Sequence, residues 1–169
     1  METRTSHTRV EAHFDQLYTE VDGAFGSTDQ PQKMVGRLPD NLKPGSTVLE
    51  LGAGQGRNSL WLARHGFRVD ALDLSQVGID LINRIAAREH LMLRAAKTDI
   101  CEHVWKPFDA YIATYVLHHL AATAAENVIR QMKTFTKPHV RRAYVSGWSS
   151  HWETLMSTSK SLVFSDAES

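Results

Sequence analysis

The sequence has little of what would place it in several broad classes. It has one cysteine, Cys101, so no disulfide can close within the chain, as fits a reducing compartment. Neither sign of charge dominates: 19 Lys and Arg balance 19 Asp and Glu. There is thus no basic field to hold a polyanion by counterion release, and a large nucleic acid is not an expected partner. No segment has the unbroken apolar length of a membrane span, and the opening METRTSHTRVEAHF lacks the apolar stretch of a signal peptide. A cytoplasmic protein with no membrane partner is expected. No short-period repeat occurs either. What is present, 169 residues with 42% hydrophobic and 22% charged, suits one domain with a real core.

Periodicity organises that domain. Val10, Phe14, Leu17, Tyr18 and Val21 recur at helical spacing, and Gly23 is placed to end the helix. A Gly- and Pro-rich stretch follows, with Met34, Val35 and Leu38 as a short helical turn. After it, apolar runs alternate with helix-period segments, the signature of βαβ units. Strands are predicted at 47–51, 67–74, 91–96, 108–114 and 142–147. Helices are predicted at 58–65, closed by Gly66; after Ser75 as N-cap, with Gly78, Leu81, Ile82, Ile85 and Ala86 on one face; and through Ala125, Val128, Ile129, Met132 and Phe135, stopped by Pro138. The fold class is α/β, three layers around a mostly parallel sheet. Residues 1–45 are expected to pack over a ligand site built by 46–148, and 149–169 form a divergent tail.

The most informative stretch is VLELGAGQGRNS, residues 48–59. Glycines at 52, 54 and 56 directly after a strand let the backbone pass close to a ligand or through a tight turn that a Cβ would obstruct. A dinucleotide fingerprint, Gly-x-Gly-x-x-Gly, would need glycine where Arg57 stands, which argues against an NAD-dependent oxidoreductase. A phosphate loop would need a following Gly-Lys-Ser/Thr, which is absent.

Glu50-Leu51-Gly52-Ala53-Gly54-Gln55-Gly56 resembles motif I of the class I S-adenosylmethionine (SAM) dependent methyltransferases. GRNSLWLA (56–63), HGFRVDALD (65–73), YIATYVLHHL (111–120) and MKTFTKP (132–138) are similar, in order, to segments of the tellurite-resistance and related small-molecule methyltransferases. The resemblance implies SAM as cofactor and a small-molecule methyl acceptor such as a thiol or a metalloid oxyanion. Gly52, Ala53, Gly54 and Gly56 would form the cofactor loop, and Glu50 would help position the amino-acid half of SAM. Asp73, with Leu74 beside it, falls about 20 residues beyond the loop, where a strand-end carboxylate can accept both ribose hydroxyls. By the same resemblance Asp99 and Ile100 would lie beside the adenine, and Ala113, Thr114 and Tyr115 beneath the methionine part.

Methyl transfer from a sulfonium is an in-line displacement that mainly needs alignment, consistent with the lack of any Ser-His-Asp or Cys-His grouping. An oxygen or nitrogen acceptor would also need a base, for which His118 is the candidate; Arg57 is a candidate for the substrate side. His118-His119 has no ligand partners at metal spacing, and no metal site is expected. Cys101 reads as a small buried residue, and the stripe on the first helix as core packing, with Tyr18 and Phe25 the residues to watch over the site. The resemblance fades at His139. Its last helix and antiparallel hairpin have no counterpart, so those strands are expected to be lost or replaced. An unpaired fifth strand would leave an edge open to a homodimer or to cover by Trp148, Trp152, Leu155, Met156, Leu162, Val163 and Phe164. The second reading is therefore a truncated, catalytically weak SAM-binding protein that acts through a partner.

Overall fold

The computed structural model describes residues 2–21, 24, 26–137, 142–146 and 162–165, and only the backbone of 2–7 and of the last two segments. Its strands β1 (Thr47–Leu51), β2 (Arg68–Asp73), β3 (Leu93–Lys97), β4 (Ala110–Thr114), β5 (Arg142–Ser146) and β6 (Leu162–Ser165) form one six-stranded sheet in the order β3-β2-β1-β4-β5-β6. Every pairing is parallel. The helices are α1 (Glu2–Glu20), α2 (Arg57–Arg64), α3 (Gln76–Arg88) and α4 (Ala122–Phe135), with short 3-10 turns at Val35–Asp40 and Leu117–His119.

Alternation along the central strands assigns each face its partner. Leu49, Leu51, Tyr111 and Ala113 pack with Val128, Ile129 and Met132 of α4. Val48, Ala110 and Ile112 point the other way, onto Leu62 and Ala63 of α2, Phe67, and Met34, Val35 and Leu38 of the first 3-10 turn. Both faces are covered, which is why β4 is buried throughout. Asp109 ties the start of the central pair together, accepting from Thr47 N at 2.8 Å and pairing with Lys137 at 3.0 Å.

The element boundaries deviate by a residue or two from the periodic pattern. Leu81 and Ile85 are only half-buried and Ile79 takes the core position instead, because α3 packs on a sheet edge where β3 offers only Ala95 as a buried contact. At the fifth strand the expected replacement is present, supplied by the segment that holds Leu162, Val163 and Phe164. That strand is not left unpaired: β6 lies beside it in parallel, register Ala143 to Leu162 through Ser146 to Ser165. The parallel β6 thus stands in place of the family's antiparallel hairpin, whose loss or replacement was expected. The proposed helix stops Gly23 and Pro138, the divergence point His139, and Phe25, Trp148, Trp152, Leu155 and Met156 lie outside the described residues.

Candidate functional site

Between β1 and β4 the chain leaves the sheet in opposite directions, since β2 and β3 extend to one side and β5 and β6 to the other. Open α/β sheets bind ligands just beyond the carboxyl ends of the strands at such a reversal. A cavity of about 650 Å³ lies there, within the roughly 300–1,000 Å³ typical of small-molecule sites.

The glycine loop forms its floor. Gly52, Gly54 and Gly56 have φ of +71°, +55° and +87°, a region that costs other residues strain. The missing Cβ atoms make room chiefly for the protein's own packing: at Gly52 a Cβ would lie 2.4 Å from Val116, at Gly54 2.8 Å from the Tyr18 hydroxyl, and at Gly56 2.7 Å from Ile82. The loop is thus bare so that α1, α3 and the turn after β4 can close around the cavity. Gly78 lets α3 approach as well, since a Cβ there would meet the Gly54 carbonyl oxygen at 2.4 Å.

Asp73, at the end of β2, is held at the cavity by two backbone donors: Gly54 N–H to Oδ2 at 2.7 Å and Ser75 N–H to Oδ1 at 2.8 Å. Each oxygen keeps a further lone pair, the capacity needed to accept from a diol. Burial pushes the carboxyl above its ordinary value, against the pull of the Ser75, Gly54 and Leu74 amides. Ser75 also caps α3, accepting from Gly78 N–H at 3.1 Å.

Glu50 is 1% exposed. It accepts from Asn58 Nδ2 at 2.8 Å and from the Ser59 hydroxyl, while Asn58 also donates to Thr114 Oγ1 at 3.1 Å. This network binds the ends of β1 and β4 to the start of α2. Burial raises the Glu50 carboxyl to about 7, although the Ser59 and Asn58 hydrogen bonds oppose the shift. A carboxyl so placed is ready to ionise when a cation enters.

The N-terminal helix roofs the cavity. Its apolar stripe is only half-buried at Val10, Phe14 and Leu17 because it lines this space rather than the core. Gln55, between two loop glycines, fastens the helix end: its amide donates to the Val21 carbonyl at 3.0 Å and the Tyr18 carbonyl at 3.3 Å and accepts from Ala24 N–H at 2.8 Å. Asp15 accepts from Ser75 Oγ and, at 3.3 Å, from Val77 N–H at the start of α3. Arg57 donates from Nε to the Gln30 carbonyl at 2.7 Å, and Asn58 Oδ1 accepts from Gln32 N–H at 2.9 Å.

Of the residues expected here, Glu50, Gly52, Ala53, Gly54, Arg57, Asp73, Leu74, Asp99, Ile100, Thr114, Tyr115 and His118 all line the cavity. Gly56 and Ala113 do not. Gly56 serves the packing of α2 against α3, and Ala113 faces α4 in the core. Cys101 is exposed rather than buried. Tyr115 has φ of +52°, uncommon for a bulky side chain, as the chain turns out of β4 across the cavity. Sequence reasoning missed Gln55, Asn58 and Ser59 as organisers of the site. A polar side chain between turn glycines and an Asn-Ser pair two and three residues past the last of them were the available signals. Among the described residues no cluster of His, Cys, Asp and Glu could hold a metal ion.

The fold is that of the class I SAM-dependent methyltransferases. The same architecture occurs in magnesium protoporphyrin IX methyltransferase from Synechocystis PCC 6803, solved with bound SAM, at TM-score 0.63 and 20% identity over 78% of this chain and 72% of that one. Within the class, the chain belongs to the tellurite resistance protein TehB family, which matches residues 32–168. The probable SAM-dependent methyltransferase TehB of Haemophilus influenzae (strain Rd) is 31% identical over 76% of this chain and 48% of its own length. The crystal structure of TehB from Haemophilus influenzae superposes with TM-score 0.57 over 61% of this chain and 36% of that chain. A protein named Hemagglutinin 1, from Eikenella corrodens, is 37% identical over 54% of this chain and 31% of its own length. The chain thus spans about half the length of the TehB protein it matches.

Proposed function

We propose that this chain binds SAM in the cavity beyond β1 and β4 and transfers its methyl group to a small molecule such as a thiol or a metalloid oxyanion. The observation that carries the reading is the Asp73 carboxylate, fixed by the Gly54 and Ser75 amides at the point where the sheet reverses direction. When bound, SAM supplies an electrophilic methyl group on a sulfonium. The protein's part is orientation and exclusion of water. Asp73 would hold the ribose hydroxyls, and Asp99 and Ile100 would flank the adenine. Buried Glu50 would offset the charge of the amino-acid part, with Thr114, Tyr115 and the glycine loop beneath it. His118 is the candidate base and Arg57 a candidate contact for the acceptor.

Zero net charge supports a small acceptor rather than a nucleic acid. Among the described residues no helix is long and apolar enough to cross a membrane, and a cytoplasmic setting agrees with the single cysteine. Residues 1–45 would act as a roof and 46–148 as the cofactor-binding core, to whose sheet 149–169 add β6. The outer edge of β6 would be the surface for a homodimer. Incubation with methyl-labelled SAM and a panel of tellurite, selenite and thiols tests the activity, which should give labelled product; neither transfer nor SAM binding would remove the proposal. The outer edge of β6, with no further strand beside it among the described residues, favours one second reading, a SAM-binding protein of weak activity that acts through a partner. Binding without turnover is the result that selects it.

A further inference from the structure

The sheet has two edges, β3 and β6. In a parallel pair, alternate residues turn their backbone groups toward the neighbouring strand. Thr98 N–H donates to the Asp73 carbonyl and Val69 N–H to the Met92 carbonyl, both at 2.9 Å, so residues 92, 94, 96 and 98 face β2. Leu93, Ala95 and Lys97 therefore turn their N–H and C=O groups outward, a row that could template another strand.

The middle of that row is already taken. Asn83 reaches across from α3 and pairs with both backbone groups of Ala95: its amide accepts from Ala95 N–H at 3.0 Å and donates to the Ala95 carbonyl at 2.9 Å. A primary amide offers one acceptor and two donors side by side, which is what a neighbouring strand would supply. Asn83 stands in the middle of α3, where asparagine is a poor helix former; its side chain bonds to the strand and not to its own helix. With Ala95 occupied, no two successive outward positions of β3 are free. Arg94 and Lys97 are exposed beside it, and Lys97 pairs with Glu11 of α1. Charge along an edge opposes pairing as well.

We propose that the Asn83 carboxamide is a built-in substitute for a seventh strand, closing the β3 edge to strand addition by a second copy of this chain and leaving β6 as the open edge. The part that concerns β6 rests on the homodimer surface proposed above; the closure of β3 stands without it and without any ligand in the cavity. A second copy is the partner to exclude because it carries the identical row. Two β3 edges related by a two-fold axis would pair antiparallel about Ala95 and continue the sheet from one molecule into the next. β3 also leads directly into Asp99 and Ile100, which line the cavity, so a strand added here would lie beside the loop that shapes the site.

Amide exchange and sedimentation test this. In the wild type, Ala95 N–H should exchange about tenfold or more slowly than the outward Leu93 and Lys97 amides, and none of the three should slow as the protein is concentrated. In dilute Asn83→Ala, Ala95 should exchange about tenfold faster than in the wild type. On concentration it should regain protection while the sedimenting mass rises to twice that of the wild type. Asn83→Asp also loses the donor to the Ala95 carbonyl but places a charge on the edge, and should keep the wild-type mass throughout. Asn83→Ala that stays at the wild-type mass without regained protection overturns the proposal, as does equal association of Asn83→Asp. Should Asn83→Ala lack a cooperative melt, the wild type decides alone, with a synthetic peptide of residues 91–97 added in excess. Unchanged exchange at Leu93 and Lys97 supports the closed edge, and slowed exchange there, by peptide or by concentration, overturns it. Wild-type dimerisation that leaves these amides unchanged agrees with β6 as the open edge.

Discussion

Replacing Glu50 by glutamine removes a carboxyl that is 1% exposed and whose ionisation the fold disfavours. Its value rises from 4.5 to about 7 on folding, chiefly through burial. The sign follows: a raised value means that the protonated form stabilises the folded state. That contribution is complete below pH 4.5 and lost as the pH climbs through 7. At about 1.4 kcal/mol per unit, the loss between about pH 5 and pH 8 is roughly 2 to 3 kcal/mol. The glutamine oxygen can still accept from Asn58, and its amide can donate to Ser59 once that hydroxyl turns. Urea unfolding of the ligand-free wild type and Glu50→Gln at both pH values measures the effect. The variant should match the wild type near pH 5 and exceed it by roughly 2 to 3 kcal/mol near pH 8. Asp73 shifts in the same direction but is present in both proteins and cancels in the difference. A stability gap that stays flat with pH refutes the reasoning.

Other features give sharp expectations. Alanine in place of a helical glycine ordinarily stabilises by about 1 kcal/mol, yet Gly78→Ala should destabilise by about 1 to 2 kcal/mol because its Cβ meets the Gly54 carbonyl oxygen at 2.4 Å; a raised melting temperature contradicts this. Gln55→Ala strips the fastening from the end of α1, and amide exchange in its last turn should accelerate about tenfold, the equivalent of one to two hydrogen bonds. Unchanged exchange would mean that Gln55 does not hold the roof. The Cys101 thiol, raised from 9.0 to about 11 by partial desolvation of its sulfur and then by the Asp99 charge, should alkylate with iodoacetamide about a hundredfold more slowly than free cysteine near pH 8 although the residue is exposed, so rapid labelling is the contrary outcome.

Legibility in the sequence followed how local the cause was. β1 and the Ser75 cap were read to the residue because alternation and capping are short-range signals. Asp73 was readable because strand length and helix length fix its distance from the glycine loop. The purpose of the glycines was only half visible, since the bodies they admit, Tyr18, Val116 and Ile82, come from three distant segments. The stripe on α1 was legible as helical and misread as core, because periodicity says that a face is apolar and not whether it meets side chains or a cavity. Ala113 and Gly56 fell just outside the lining for a related reason: neighbours of a site residue on a strand or turn point elsewhere. The parallel β6 could not be foreseen, since its register with β5 depends on tertiary pairing that no short pattern encodes.

The central claim is that an adenosyl ligand sits on the glycine loop with its ribose at Asp73. Calorimetric titration of SAM into the wild-type chain and Asp73→Asn, each checked for a cooperative melt, tests it most directly. One-to-one binding in the wild type and an affinity at least about tenfold weaker in the variant are expected, from the loss of charge-assisted hydrogen bonds. Equal affinity in the two proteins, or no binding to a folded wild type, would contradict it.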